Sequence, residues 1–206
     1  MVGAPQDLIR RAAVLAWRAS VPLMLAAASA WTLAAPPTYV VSGNCRDGQP
    51  HGAYELRMPD GTLRVTGAYA RGKRTGSFLF WSSSGVRIAL LPYEDDVMNG
   101  TVALWYLVPG GKAEPRSKLK AVYANGQHAG LARSWYSEGS PRAEFRYDHG
   151  ALVSARAWTA AGAPLPEIDA RAMAQHDVTL DAQFYNTLEA IVRDNPPPCA
   201  ANGRKP

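Results

Sequence analysis

Tyr69-Ala70-Arg71-Gly72-Lys73-Arg74-Thr75-Gly76 is the stretch that decides the fold, because its frame returns along the chain. It recurs from Tyr93 to Gly100, from Tyr123 to Gly130 and from Tyr147 to Ser154, and Cys45 to Gly52 keeps the frame with Cys in place of Tyr. Counted from Gly52, the units are 24, 24, 30 and 24 residues long; the longer one carries six extra residues around Pro109 to Lys118. Self-similarity at such a period marks a repeat array in which each unit is one supersecondary element.

A second glycine follows nine residues into each unit, at Gly61, Gly85 and Gly139, and is shifted to Gly110 in the third. Both glycines lie between apolar runs, which predicts tight two-residue hairpin loops that need positive φ. Each unit therefore reads as one β-hairpin plus the turn to the next. In the second strand of each unit, alternate positions ending at the tyrosine are apolar: Val65-Gly67-Tyr69, Ala89-Leu91-Tyr93, Leu119-Ala121-Tyr123 and Ala143-Phe145-Tyr147. The positions between them are polar except in the second unit, where they read Ile88-Leu90-Pro92, and the pattern is that of a half-solvated sheet. Trp81, Trp105 and Trp135 share one phase and should form a column, read as packing between repeats in preference to a carbohydrate-binding ladder.

These residues, written G-x-F-x-F-W…G…Y-x-x-G-x-x-x-G, resemble the variant MORN repeat of many bacterial proteins across about Cys45 to Gly162. The resemblance implies a mainly β chain: an elongated array of stacked antiparallel β-hairpins. Asp96, where glycine is usual, Ser154 and the inserted loop depart from the pattern. Some proteins of this kind act as antitoxin or immunity proteins, so the resemblance implies a protein partner.

Beyond the array, Pro164-Leu165-Pro166 ends the β pattern. Phe184, Tyr185, Leu188, Ile191 and Val192 then follow helical spacing, Thr179 offers a cap, and Pro196-Pro197-Pro198 stops the helix. An amphipathic helix is expected to fold over the last hairpin, as a terminal repeat needs capping.

At the other end, Arg10, Arg11 and Arg18 precede an Ala/Leu-rich run that closes on Ala28-Ser29-Ala30, the layout of a secretory signal cleaved near Ala30. The alternative is an inner-membrane anchor over residues 12–35, which Arg18 and Pro22 make a poor membrane helix. Arg10-Arg11 also partly matches a twin-arginine signal. The chain is thus divided into a signal peptide (1–30), a linker (31–44), the repeat array (45–163), a helical cap (164–195) and a disordered tail (196–206). Export to the periplasm or beyond is expected. In an oxidising compartment Cys45 and Cys199 allow a single pairing, across 154 residues, against the alternative of two unrelated thiols.

The 206 residues carry a formal charge of +5, which falls to +3 without the first 30 residues, too small a surplus to argue for nucleic-acid binding. His51, His128 and His149 fall in turns along one edge, spaced too widely to share a zinc ion, and His176 lies outside the array; solvated turn histidines are expected. Glu94-Asp95-Asp96 reads as a solvated turn and Ser82-Ser83-Ser84 as a hairpin tip. No catalytic, cofactor or metal residues are assigned. The expected function is that of an exported, non-catalytic protein-binding module. The alternative is an envelope scaffold that meets anionic lipid or polymer through a basic sheet face of Arg64, Lys118, Lys120, Arg142 and Arg146.

Overall fold

The computed structural model describes residues 38–107 and 116–199. The signal peptide or anchor, most of the linker, the bulk of the inserted loop and the last residues of the tail lie outside them. The chain forms one antiparallel meander, each strand beside its sequence neighbour. The strands are β1 (Val40–Arg46), β2 (Gln49–Arg57), β3 (Leu63–Ala70), β4 (Lys73–Trp81), β5 (Arg87–Glu94), β6 (Val97–Met98), β7 (Gly100–Trp105), β8 (Ser117–Ala124), β9 (Gln127–Trp135), β10 (Pro141–Asp148) and β11 (Ala151–Ala157). The short β6 pairs only with β5, which otherwise neighbours β7. A helix, α1 (Glu167–Arg193), follows.

Turn chemistry explains the meander. Asp47-Gly48, Arg71-Gly72, Asp95-Asp96, Asn125-Gly126 and His149-Gly150 all hold positive φ at both residues, the two-residue turn whose twist matches that of the strands. All five lie on one sheet edge. The second residue of each of the last four donates its N–H to the hairpin before it, reaching the carbonyls of Pro50, Arg74, Met98 and His128 at 2.8–3.1 Å, which stitches successive repeats together. On the opposite edge the four loops that lie wholly within the described residues are three residues long and end on Gly61, Gly85, Gly139 and Gly162. The two-residue loop expected at the second glycine is therefore corrected: a type I turn followed by a left-handed glycine adds one residue. The leading glycines are corrected as well. Gly52 and Gly76 sit inside β2 and β4 at register shifts, not in hairpin tips.

Burial follows the apolar alternation. Tyr54, Leu56, Val65, Phe78, Phe80, Leu91, Tyr93, Leu104, Leu119, Phe145 and Tyr147 line one face and pack against Ala170, Ala174, Tyr185, Leu188 and Val192 of α1. The helix does more than cover the last hairpin. Its 27 residues make it about 40 Å long, close to the ~43 Å of nine strand spacings. Contacts taken in helix order step across the sheet: Asp177 to Arg142 on β10, Tyr185 to Tyr123 on β8, Glu189 to Tyr93 on β5, and Asn195, just past the helix, to Tyr54 on β2. Cys199 then bonds to Cys45 on β1. Residues 196–199 are thus docked, and the expected disordered tail is corrected for them: Pro197 is buried against Gly43, where any side chain would meet the proline ring at 3.0 Å.

The helix starts twelve residues before the expected cap. Thr179 lies inside it, with Oγ1 donating to the Gln175 carbonyl, while Glu167 and Asp169 supply the negative charge that favours a helix start.

Candidate functional site: the open face of the sheet

With α1 on one face, the other face is uncovered among the described residues. The basic residues expected there do not share it. Register shifts between Leu56 and Arg57, between Leu104 and Trp105, and between Pro141 and Ala143 leave Arg64, Lys118 and Arg142 as the extra residues of β-bulges. A bulge re-aims a side chain, and two of these turn to the helix. Arg142 Nη2 donates to Asp177 at 3.0 Å, and Lys118 Nζ stands 6.0 Å from the centre of the Phe184 ring. Arg64 is half-buried, its Nε and Nη1 out of water without a partner among the described residues. Only Lys120 and Arg146 of the five remain exposed on the outer face. The single basic face is therefore corrected.

What the outer face does carry is a cross-strand row: Glu55, Thr66, Leu79, Leu90, Ala103, Lys120, Arg133, Glu144 and Arg156 are successive partners. Its middle is apolar and one end is charged. Arg133 Nε donates to Glu144 at 2.9 Å and Arg156 holds the other oxygen, and the two guanidinium groups keep this carboxyl below the usual range.

Beside this row runs a second one. Trp81, Trp105 and Trp135 each close the first strand of a hairpin, paired with Arg87, Ser117 and Pro141. Trp158, one residue past β11, bridges to Pro164 and continues the row. The sequence marks Trp158 as part of a degenerate last half unit but not as a member of the column, because it stands four residues after Ser154 where the others stand five after their glycine. All four indoles are half-buried and none belongs to the core, so the expected column is real but does not hold the repeats together from within. Arg87 lies over the Trp105 ring at 4.4 Å. Between Trp135 and Trp158 a groove of about 640 Å³ opens, bounded also by Arg133, Pro141, Glu144 and Gly162.

The helix side holds two further polar features. His128 is not a solvated turn residue: its ring lies between Tyr123 at 4.3 Å and Tyr147 at 4.6 Å, and burial lowers its pKa to about 4. Asp181 occupies the helix stripe that faces the sheet, and burial raises its carboxyl to about 6, with Asp177 adding to the rise and Lys118 and Arg142 opposing it. A carboxyl whose folded pKa is raised stabilises the fold when protonated. That contribution is complete below about pH 4 and is lost as pH rises through about 6. Asp181→Asn is expected to raise stability at pH 7.5 by about 1–2 kcal/mol and to flatten its pH dependence between 4 and 7, as read by urea denaturation. An unchanged pH slope would refute the assignment.

Among the described residues no three or more His, Cys, Asp or Glu side chains are grouped to hold a metal ion, and no helix is long and apolar enough to cross a membrane. No protein-family model matches the sequence, and no curated protein is similar to it.

Proposed function

We propose that this chain is an exported, non-catalytic binding module, of the variant MORN kind that its repeats resemble, and that it takes a macromolecular partner on the open face of its sheet. One observation carries the reading: α1 and the segment that follows it to Cys199 strap the apolar face from β11 to β1, while the opposite face keeps a half-buried apolar centre, a charged end and a row of indoles. Open repeat sheets commonly present such surfaces to large partners. The Cys45–Cys199 bond supports export, since disulfides persist in oxidising compartments. Among the described residues the outer face is the uncovered face of the sheet, so a partner of either class, protein or envelope polymer, meets the chain there.

The test is retention of cross-linked envelope material by the chain from Trp31 to Pro206, wild type against Leu90→Glu. Leu90 lies half-buried at the centre of the outer row, so a charge there should abolish retention while the melting temperature stays within a few degrees. Equal retention by both proteins, or none by the wild type, would overturn the reading.

A further inference from the structure

We infer that the ligand of the open face is a single, extended β-linked glycan strand of the cell wall, held across the row Trp81, Trp105, Trp135 and Trp158. This rests on the binding-module reading and adds the chemistry of the ligand.

Spacing is the first argument. The four tryptophans stand on every second strand, so successive indoles lie about 10 Å apart and the row runs roughly 30 Å. That step is close to one disaccharide of an extended β-linked glycan, in which alternate sugars turn the same apolar face to one side. Sugar rings carry such faces of C–H groups, and an indole is the widest flat surface a side chain can offer them.

Hydrogen bonding is the second. A left-handed polyproline chain has a similar repeat, but it carries only carbonyl acceptors. The groove between Trp135 and Trp158 contains an ionised acceptor, Glu144, beside a donor, Arg133. Arg133 and Arg156 already hold Glu144, so a ligand meets the lone pairs and N–H groups this ion pair leaves over; a hydroxyl, which both donates and accepts, can use both kinds, whereas an all-proline chain offers acceptors alone. The groove's volume of about 640 Å³ also lies in the range of small-molecule sites.

Twist decides the form of the glycan. Neighbouring strands rotate by about 20–25°, so successive indoles turn by roughly 40–50°. A flat crystalline face cannot follow that rotation. A single strand can.

The experiment is a titration of the intact chain with the β-1,4-linked hexamer of N-acetylglucosamine, and with glycan strands released from purified peptidoglycan, read by calorimetry and tryptophan fluorescence. Saturable binding of both is expected. Trp135→Ala and Trp158→Ala should each weaken it about tenfold, Trp135→Phe should restore most of the loss, and Glu144→Gln should weaken it with the indoles in place. A polyproline peptide and crystalline chitin should not be retained. Silence with both glycans, binding untouched by the two alanine variants, or retention of polyproline on the same tryptophans would overturn the inference. If both glycans stay silent while Leu90→Glu still abolishes envelope retention, the glycan assignment alone fails; if neither responds, the binding-module reading fails with it.

Discussion

Replacing Cys45 and Cys199 by serine is expected to lower the stability of the folded chain by about 3–5 kcal/mol while leaving its fold intact. The bond closes a span of 154 residues, for which the chain-entropy relation gives about 5 kcal/mol; strain and residual structure reduce what is realised. Little of this acts on the native side. Pro197 stays buried against Gly43, and Tyr54 Oη still donates to the Asn195 carbonyl at 2.7 Å, so the end of the strap remains seated on β1 and β2 without the bond. What changes is the unfolded chain, freed from a ring that contains nearly the whole sheet and α1. At about 2–4 °C per kcal/mol for a domain of this size, the melting temperature should fall by roughly 10 °C, and dithiothreitol should reproduce the shift in the wild type. Hydrogen exchange should rise first at β1 and at residues 195–199. A melting temperature that neither reduction nor substitution moves would mean that the bond does not close in solution.

Repetition is what made the fold legible. One hairpin's turn chemistry is weak evidence, but the same Tyr-x-x-Gly frame, returning at 24 residues in three of four units, points to a succession of hairpins and to the face that Tyr69, Tyr93, Tyr123 and Tyr147 share. The site was less legible, and the bulges are the reason. Strict alternation assigns Arg64, Lys118 and Arg142 to the solvated face, whereas one extra residue at each of those positions reverses the assignment. A signal was present: Ile88, in the same slot of the second unit, is an apolar residue at a nominally polar position, and it packs against the core. The start of α1 was hidden for a related reason. Ala170 and Ala174 bury it against the sheet, and small residues leave a much fainter apolar period than Tyr185 or Leu188. Burial of His128 depends on the helix closing over Tyr123 and Tyr147, which no local pattern encodes.

The strap also explains where charge sits on the apolar side. Arg74 bridges Asp96 at 3.1 Å and Glu189 at 3.0 Å, and Glu189 accepts the Tyr93 hydroxyl. Asp96 stands where the repeat frame has glycine, and it keeps the two-residue turn while its carboxylate takes the Arg74 backbone N–H and Nε. The departure from the repeat at this turn thus ties the sheet edge, through one arginine, to the helix. Arg142 with Asp177 does the same at the other end.

Phe78 is the side chain whose loss should cost most, about 3–5 kcal/mol for Phe78→Ala, because the ring is fully buried and three other rings enclose it. Its centroid lies 5.6 Å from Tyr69 and 5.5 Å from Tyr93, both edge-to-face, and 6.2 Å from Tyr54. Two of these neighbours are themselves pinned, Tyr93 by Glu189 and Tyr54 by Asn195, so the cluster cannot collapse into the space without moving the strap. The complementary change acts through the same contact. Gly67 occupies the slot that holds Leu91, Ala121 and Phe145 in the other units, and the Phe78 ring fills the space its missing side chain leaves: a Cβ there would stand 2.5 Å from Cε1. Gly67→Val is therefore expected to cost about 2–3 kcal/mol through overpacking, even though valine suits a strand better than glycine. Combining it with Phe78→Leu should recover at least about 1 kcal/mol relative to the sum of the single changes, measured as a double-mutant cycle by chemical denaturation. Strict additivity would show that the ring yields to the new side chain, and that Gly67 is not what admits Phe78 to the core.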